Sequence, residues 1–244
     1  MITKNLIFDL GMHRALDSQF YLNKGFDVIA LEANPRLAQE GRNKLSEFIE
    51  KKQFEIVEKA LWTPDIREVE FFVNDVKDDW SSVIESWSRK GNHDVTKITV
   101  QTTTLDELIE LRGLPYYIKC DIEGADNEFI SQLIAAKEKP QYVSVEPNGA
   151  DIVGRLTAAG YTSFQLVNQA LNGFVPCPNP PREGQYHEVK FNGHMSGLFG
   201  AELDPGKWLT ADEATERLVM FRSLKIRDPL LAHGWLDVHA RLSE

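Results

Sequence analysis

Short apolar runs alternate with amphipathic stretches through most of the chain. Residues 6–10, 28–31, 116–122 and 142–145 are nearly unbroken apolar runs that stop at a glycine or an acid. Runs of this length bounded by turn residues predict buried strands. Residues 54–61, 70–73, 98–102, 164–167 and 235–239 add further strand-like segments. Between them the spacing changes to that of helices. Leu37, Leu45, Phe48 and Ile49 share one face of a helix predicted over 36–51. Helices are also predicted at 20–24, ended by Gly25, and at 104–111, 125–136, 150–159 and 211–222.

Strand and helix thus alternate to about residue 168, which predicts an α/β protein with a mostly parallel central sheet and helices on both faces. We expect one domain over 1–244, with a cofactor-binding core at 6–168. Residues 169–210 carry Pro176, Pro178, Pro180, Pro181 and recurrent glycines, and predict a C-terminal irregular segment over the site. Residues 211–244 would add a helix and a last strand to the same sheet. Residues 74–97 look like an insertion carrying an exposed loop. In such sheets ligands bind beyond the carboxyl ends of the strands. Four predicted strands end in acids or glycine there: Asp9 and Gly11, Glu32, Asp121 and Glu123, and Glu146.

Composition narrows the classes. Of 244 residues, 42% are hydrophobic and 26% charged, ordinary for a globular protein. The net charge of −10 repels phosphate backbones, so no nucleic-acid partner is expected. Cys120 and Cys177 are too few for a disulfide framework or a zinc site. No run approaches the roughly 20 apolar residues of a membrane span. Residues 1–5 lack the apolar stretch of a secretion signal, so the expected location is cytoplasmic. The pattern fixes no oligomeric state.

Glu32 lies 21 residues after Gly11, at the tip of the second predicted strand. A carboxylate there accepts hydrogen bonds from a ribose diol and repels a 2′-phosphate. The turn reads Gly11-Met12-His13-Arg14-Ala15-Leu16-Asp17-Ser18, with one glycine where a dinucleotide site needs three. Asp17 would repel a pyrophosphate. S-adenosylmethionine (SAM) has no phosphate, and its ammonium and sulfonium would pair with Asp9 and Asp17. SAM is therefore favoured over NAD. Any one of these acids alone reads equally well as a solvated loop residue or helix cap; the combination carries the reading.

The same residues resemble the FkbM family of SAM-dependent methyltransferases. The resembling blocks are Phe8-Asp9-Leu10-Gly11-Met12, Ala30-Leu31-Glu32-Ala33-Asn34-Pro35, Ala60-Leu61-Trp62, Trp80-Ser81-Ser82, Thr102 to Leu108, and Lys119-Cys120-Asp121-Ile122-Glu123-Gly124. The resemblance implies a Rossmann-like class I methyltransferase fold. It also implies methylation of an oxygen, commonly on a sugar, glycan or natural-product acceptor. By the same resemblance Asp9 and Gly11, with Met12, would border the methionine part of SAM. Glu32 would hold the ribose, Ala33 would also touch the cofactor, Ala60 and Leu61 would lie near adenine, and Asp121 would close the site near the methyl group. The chain departs from the family at Ala15, often glycine, and at Leu16, often an acid; Asp17 and Ser18 match. A methyl at Ala15 disfavours positive φ.

For a hydroxyl acceptor the protein must orient the oxygen and remove its proton. Asp121, Glu123 and His194 are the candidate catalytic residues; Glu146 and His13 are further candidates. A serine of Trp80-Ser81-Ser82 would bond the cofactor, or the tryptophan would pin the insertion. Asp121, Glu123 and Asp126 lie close in sequence, but two of them straddle a turn, so no metal is expected. The alternative is a catalytically degenerate Rossmann-like binding protein whose altered first loop no longer supports turnover.

Overall fold

Alternation along the first strand, β1 (Ile2–Leu10), sends Leu6, Phe8 and Leu10 into one core and Ile7 into another. The computed structural model describes residues 2–243; Met1 and Glu244, the ends of the expected 1–244 unit, lie outside the described residues. After β1 come α1 (Leu16–Asn23), β2 (Asp27–Leu31), α2 (Pro35–Lys44), α3 (Ser46–Glu50), β3 (Phe54–Val57), β4 (Ala60–Leu61) and β5 (Glu68–Asn74). Then follow α4 (Glu85–Ser88), β6 (Val95–Thr103), α5 (Leu105–Arg112), β7 (Leu114–Cys120), α6 (Asp126–Ala135) and β8 (Tyr142–Val145). The chain closes with α7 (Ile152–Ala158), β9 (Ser163–Asn168), α8 (Ala211–Arg227) and β10 (Leu236–Arg241).

Among the described residues the main sheet has seven strands in the order β3-β2-β1-β7-β8-β10-β9. The pairs β1/β2, β2/β3, β1/β7 and β7/β8 are parallel, while β10 runs antiparallel between β8 and β9. The expected mostly parallel α/β sheet is thus present. Chain order reverses between β1 and β7, and the crevice beyond their carboxyl ends is where such a sheet takes ligands. A second sheet, β4-β6-β5, stands beside it.

One face of the main sheet is apolar throughout: Phe8, Leu10, Ile118, Cys120, Val143, Val145 and Val238 pack with Phe129, Leu133, Val153 and Leu156 of the helices. The opposite face mixes aromatic and polar groups. There Tyr21 meets Phe199 at 4.7 Å between rings, and Tyr117 lies 5.1 Å from Phe199. These contacts fasten the irregular 169–210 segment to α1 and β7. Helices α5 and α8 start on capping boxes, Thr104 with Glu107 and Thr210 with Glu213, where the sequence predicts helix starts.

Three predicted elements differ. The helix expected over 36–51 breaks at Leu45 (φ −113°, ψ 26°), because this bend keeps Leu45 buried while Phe48 packs on the same core. The strand expected over 54–61 splits. Leu31 and Val57 form the last pair of the β2/β3 ladder, so the chain leaves the sheet edge and Ala60-Leu61 pairs with Thr102-Thr103 instead. The 74–97 stretch is no free loop: it folds back over the crevice. No helix among the described residues is long and apolar enough to cross a membrane.

Candidate functional site

The crevice is a cavity of about 500 Å³, within the usual size range of ligand sites. Its floor is the turn after β1. Gly11 (φ 83°) lies so close to β7 that a Cβ would stand 1.8 Å from the Asp121 carbonyl oxygen. Only glycine fits this crossing, and the reason is strand packing rather than ligand approach. The Gly11 and Met12 amides both donate to the Leu31 carbonyl at 3.0 Å, which ties the turn to the β2 tip. Ala15 is buried with φ 54°, so the alanine occupies the positive-φ conformation it disfavours.

Glu32 stands on the cavity wall beside Gly11, Met12 and Ala33. Its carboxylate accepts from the amides of His13 and Asn34, both at 2.8 Å. Burial pushes its pKa up to about 7 against these two bonds. Leu31, Leu37, Ala60, Leu61 and Phe71 make the adjoining wall apolar, as a flat heteroaromatic ring requires.

Asp9 does not border the cavity, contrary to the sequence expectation. Register places it opposite Lys119, and it is fully buried. It pairs with the Lys119 ammonium at 3.2 Å and accepts from the Ser18 hydroxyl at 2.6 Å. Lys119 also donates to the Gly11 carbonyl at 2.9 Å and stands 3.7 Å from Asp17. Burial works against its ammonium, yet Asp9, Asp121 and Asp17 hold its pKa well above the ordinary value. Asp17 lines the cavity and accepts the Ser196 amide at 2.9 and 3.1 Å, which fixes the irregular segment over the turn. Burial, opposed by Lys119, raises Asp17 to about 7.

Across β7 the wall turns acidic. Asp121 and Glu123 follow β7, Glu146 follows β8, and one carboxylate oxygen from each lies within 4.8 Å of the others. Glu123 (φ 48°) and Gly124 (φ 89°) form a strained left-handed pair. Ser82 holds it by donating to the Glu123 carbonyl at 2.6 Å. Trp87 covers Gly124, where a Cβ would meet its ring at 2.8 Å, and donates to the Glu123 carboxylate at 2.7 Å. Burial, then the charge of Asp121, pushes Glu123 up to about 9; burial, then Asp121 and Asp126, brings Glu146 to about 8. Asp126 does not join this group. It caps the turn, accepting from the amides of Ile122 and Gly124 and from Asn148.

The cover comes from two segments. His194 lies in the wall with its ring 5.9 Å from that of His13. Asp78, from the 74–97 stretch, binds His13 at 3.0 Å, Arg14 at 3.2 Å and Arg36 at 2.8 Å. Burial lowers the His13 pKa against the pull of Asp78. Arg14 points away from the cavity to this acid. Trp80 and Ser81 line the wall, whereas Ser82 serves the Glu123 turn.

The cavity therefore gathers Gly11, Met12, Asp17, Glu32, Ala33, Ala60, Leu61, Asp121, Glu123 and His194, and leaves out Asp9. Sequence reasoning missed Lys119, Lys90, Gln169, Trp235 and Asp237, which also line it. Lys119 was legible as a charge inside an apolar run; Asp237 lies in the last predicted strand and gave no comparable signal.

The sheet order, the antiparallel β10 and a crevice at the β1/β7 switch define a class I methyltransferase fold. The chain belongs to the FkbM methyltransferase family: the family model described as "Methyltransferase FkbM domain" matches residues 9–163. No curated protein matches the chain in sequence. Among solved structures it is similar to a precorrin-6y C5,15-methyltransferase from Geobacter metallireducens GS-15. The identity is 12% and the TM-score 0.44, over 100% of this chain and 82% of that one.

Proposed function

We propose that this methyltransferase uses SAM and methylates a hydroxyl of a sugar, glycan or natural-product acceptor. The observation that carries the reading is Glu32, a buried carboxylate on the wall of a cavity that runs from an apolar slot to the acids beyond β7. Its two oxygens keep lone pairs for a ribose diol after the His13 and Asn34 bonds are counted. The donor set fits SAM: Ala60, Leu61 and Phe71 for the adenine, Glu32 for the ribose, and Asp17 and Asp121 for the cationic methionine part. When bound, SAM supplies an electrophilic methyl group with a thioether as leaving group.

The chain's own work is to orient the acceptor oxygen and take its proton. Glu123 is held at the far wall by the Trp87 indole, which donates to its carboxylate at 2.7 Å, and helps to orient the acceptor. Asp121 and His194 are then the candidates to accept the acceptor's proton. Two free cysteines fit a reducing, cytoplasmic setting for the reaction.

Calorimetric titration of the purified chain with SAM tests the reading. Binding should be abolished or strongly weakened in Glu32→Ala. Absence of SAM affinity in the wild type sinks it, and NAD binding instead would favour a dinucleotide enzyme. His194→Ala should lower turnover and leave SAM affinity intact; unchanged turnover removes His194 from proton transfer.

A further inference from the structure

We infer that Asp121, Glu123 and Glu146 form a binding site for a hard divalent cation, of the Mg²⁺, Mn²⁺ or Ca²⁺ class, at the acceptor end of the cavity. The three carboxylates come from two adjacent strand ends and a strained turn, with one oxygen each inside 4.8 Å. Oxygen ligands on opposite sides of Mg²⁺ stand about 4.2 Å apart and around Ca²⁺ about 5 Å. Three oxygens none more than 4.8 Å from another lie within the span of such a ligand shell.

A second feature points to the same place. Asp237 of β10 is 8% exposed and lines the cavity, yet among the described residues its carboxylate has no hydrogen-bond donor and no ion-pair partner. Its neighbour Val238 pairs with Val145, the residue before Glu146, so the two acids stand at adjacent strand ends. The strongest charges it faces, Asp121 and Glu146, repel it. A buried, undonated carboxylate facing Asp121 and Glu146 must take up a proton or be matched by a cation, and a divalent ion serves all of these acids at once.

The nearby protein cations are already engaged. Lys119 serves Asp9, Asp17 and the Gly11 carbonyl, and the Lys90 ammonium sits 3.3 Å from the centre of the Trp87 ring. An acceptor ammonium would bring one positive charge to four carboxylates, where a divalent ion brings two. The ligand set is all oxygen, which selects hard ions over zinc or copper. Trp87 donating to Glu123 supplies the outer bond that orients a ligand. Three protein ligands leave positions open toward the cavity for neighbouring oxygens of an acceptor. That role rests on the methyl-transfer reading and would select vicinal diols over isolated hydroxyls; the cation site itself does not.

The test is a Mn²⁺ titration of the EDTA-treated full chain without SAM, followed by the loss of the free-ion electron paramagnetic resonance signal. We expect saturable binding, weakened about tenfold or more in Glu146→Gln and in Glu123→Gln and unchanged in Glu183→Gln, a carboxylate bonded to Tyr116 outside the site. Thermal melts of the same samples establish folding, and Mn²⁺ should raise the wild-type Tm but not that of Glu146→Gln. No binding to the wild type, or binding that both cluster variants retain, overturns the site. SAM binding without Mn²⁺ binding overturns the cation site and leaves methyl transfer standing. Mn²⁺ binding lost in the variants, without SAM binding, supports the site and overturns the methyl-transfer reading.

Discussion

The two halves of the cavity wall treat buried carboxylates in opposite ways. On the β1 side every acid has donors: Ser18 and Lys119 for Asp9, the Ser196 amide and Lys119 for Asp17, and two backbone amides for Glu32. On the other side Glu123 has the Trp87 indole, while Asp121, Glu146 and Asp237 have no donor among the described residues. The pKa values follow this division, about 7 for Asp17 and Glu32 against about 9 and 8 for Glu123 and Glu146. The first half is finished by the polypeptide itself. The second half is built for something the polypeptide does not contain.

The contrast breaks most visibly at Lys119. Lys119→Met leaves Asp9 and Asp17 buried without their cation, and should cost about 3–5 kcal/mol of stability in urea unfolding. A loss below about 1 kcal/mol would show that a proton replaces the lysine and would erase the difference between the halves.

Glu32→Ala should weaken SAM about 10- to 100-fold, the value of hydrogen bonds to a charged acceptor, without the large stability loss of the lysine variant. Calorimetry alongside a melt separates the two effects.

Stability should also depend on pH. Glu32 and Glu183 are held at about 7, above their ordinary carboxyl value, so between about pH 4.5 and 7 the folded chain keeps protons that the unfolded chain has released. Their contribution is complete below that window and is lost as the pH rises through it, by up to about 1.4 kcal/mol per pH unit per group. Glu32→Gln and Glu183→Gln should each flatten the decline in Tm; an unchanged slope would mean these carboxyls ionise normally.

Ala15→Gly should have the smallest effect. It relieves about 1–2 kcal/mol of left-handed strain but gives up a buried methyl worth about 0.8 kcal/mol and makes the unfolded chain looser. The net change should stay within about 0.5 kcal/mol. A loss of several times that would make the methyl's packing, rather than φ, the reason for alanine.

Local pattern was enough for much of the molecule. Apolar runs located the strands of the main sheet, the helical stretches at 104–111 and 211–222 located α5 and α8, and the spacing of Gly11 and Glu32 located one wall of the cavity. These features are written within a few residues or within one strand–helix–strand unit, so they survive reading in one dimension. Other features depend on register and insertion. Asp9 looked like a ligand contact until pairing with β7 set it opposite Lys119, where it became part of the buried frame. Asp126 looked like a partner of Asp121 and Glu123 until the turn folded it back as a cap.

The sequence alone therefore determined the fold class, the switch-point crevice and the place of Glu32 at its wall. Tertiary structure alone decided that Asp237 joins Asp121, Glu123 and Glu146 at the far wall. Asp237, more than ninety residues after Glu146, reaches it because β10 inserts antiparallel between β8 and β9 and brings Val238 opposite Val145. No local propensity encodes that meeting; it follows from long-range strand pairing, which is fixed only when the whole sheet has formed.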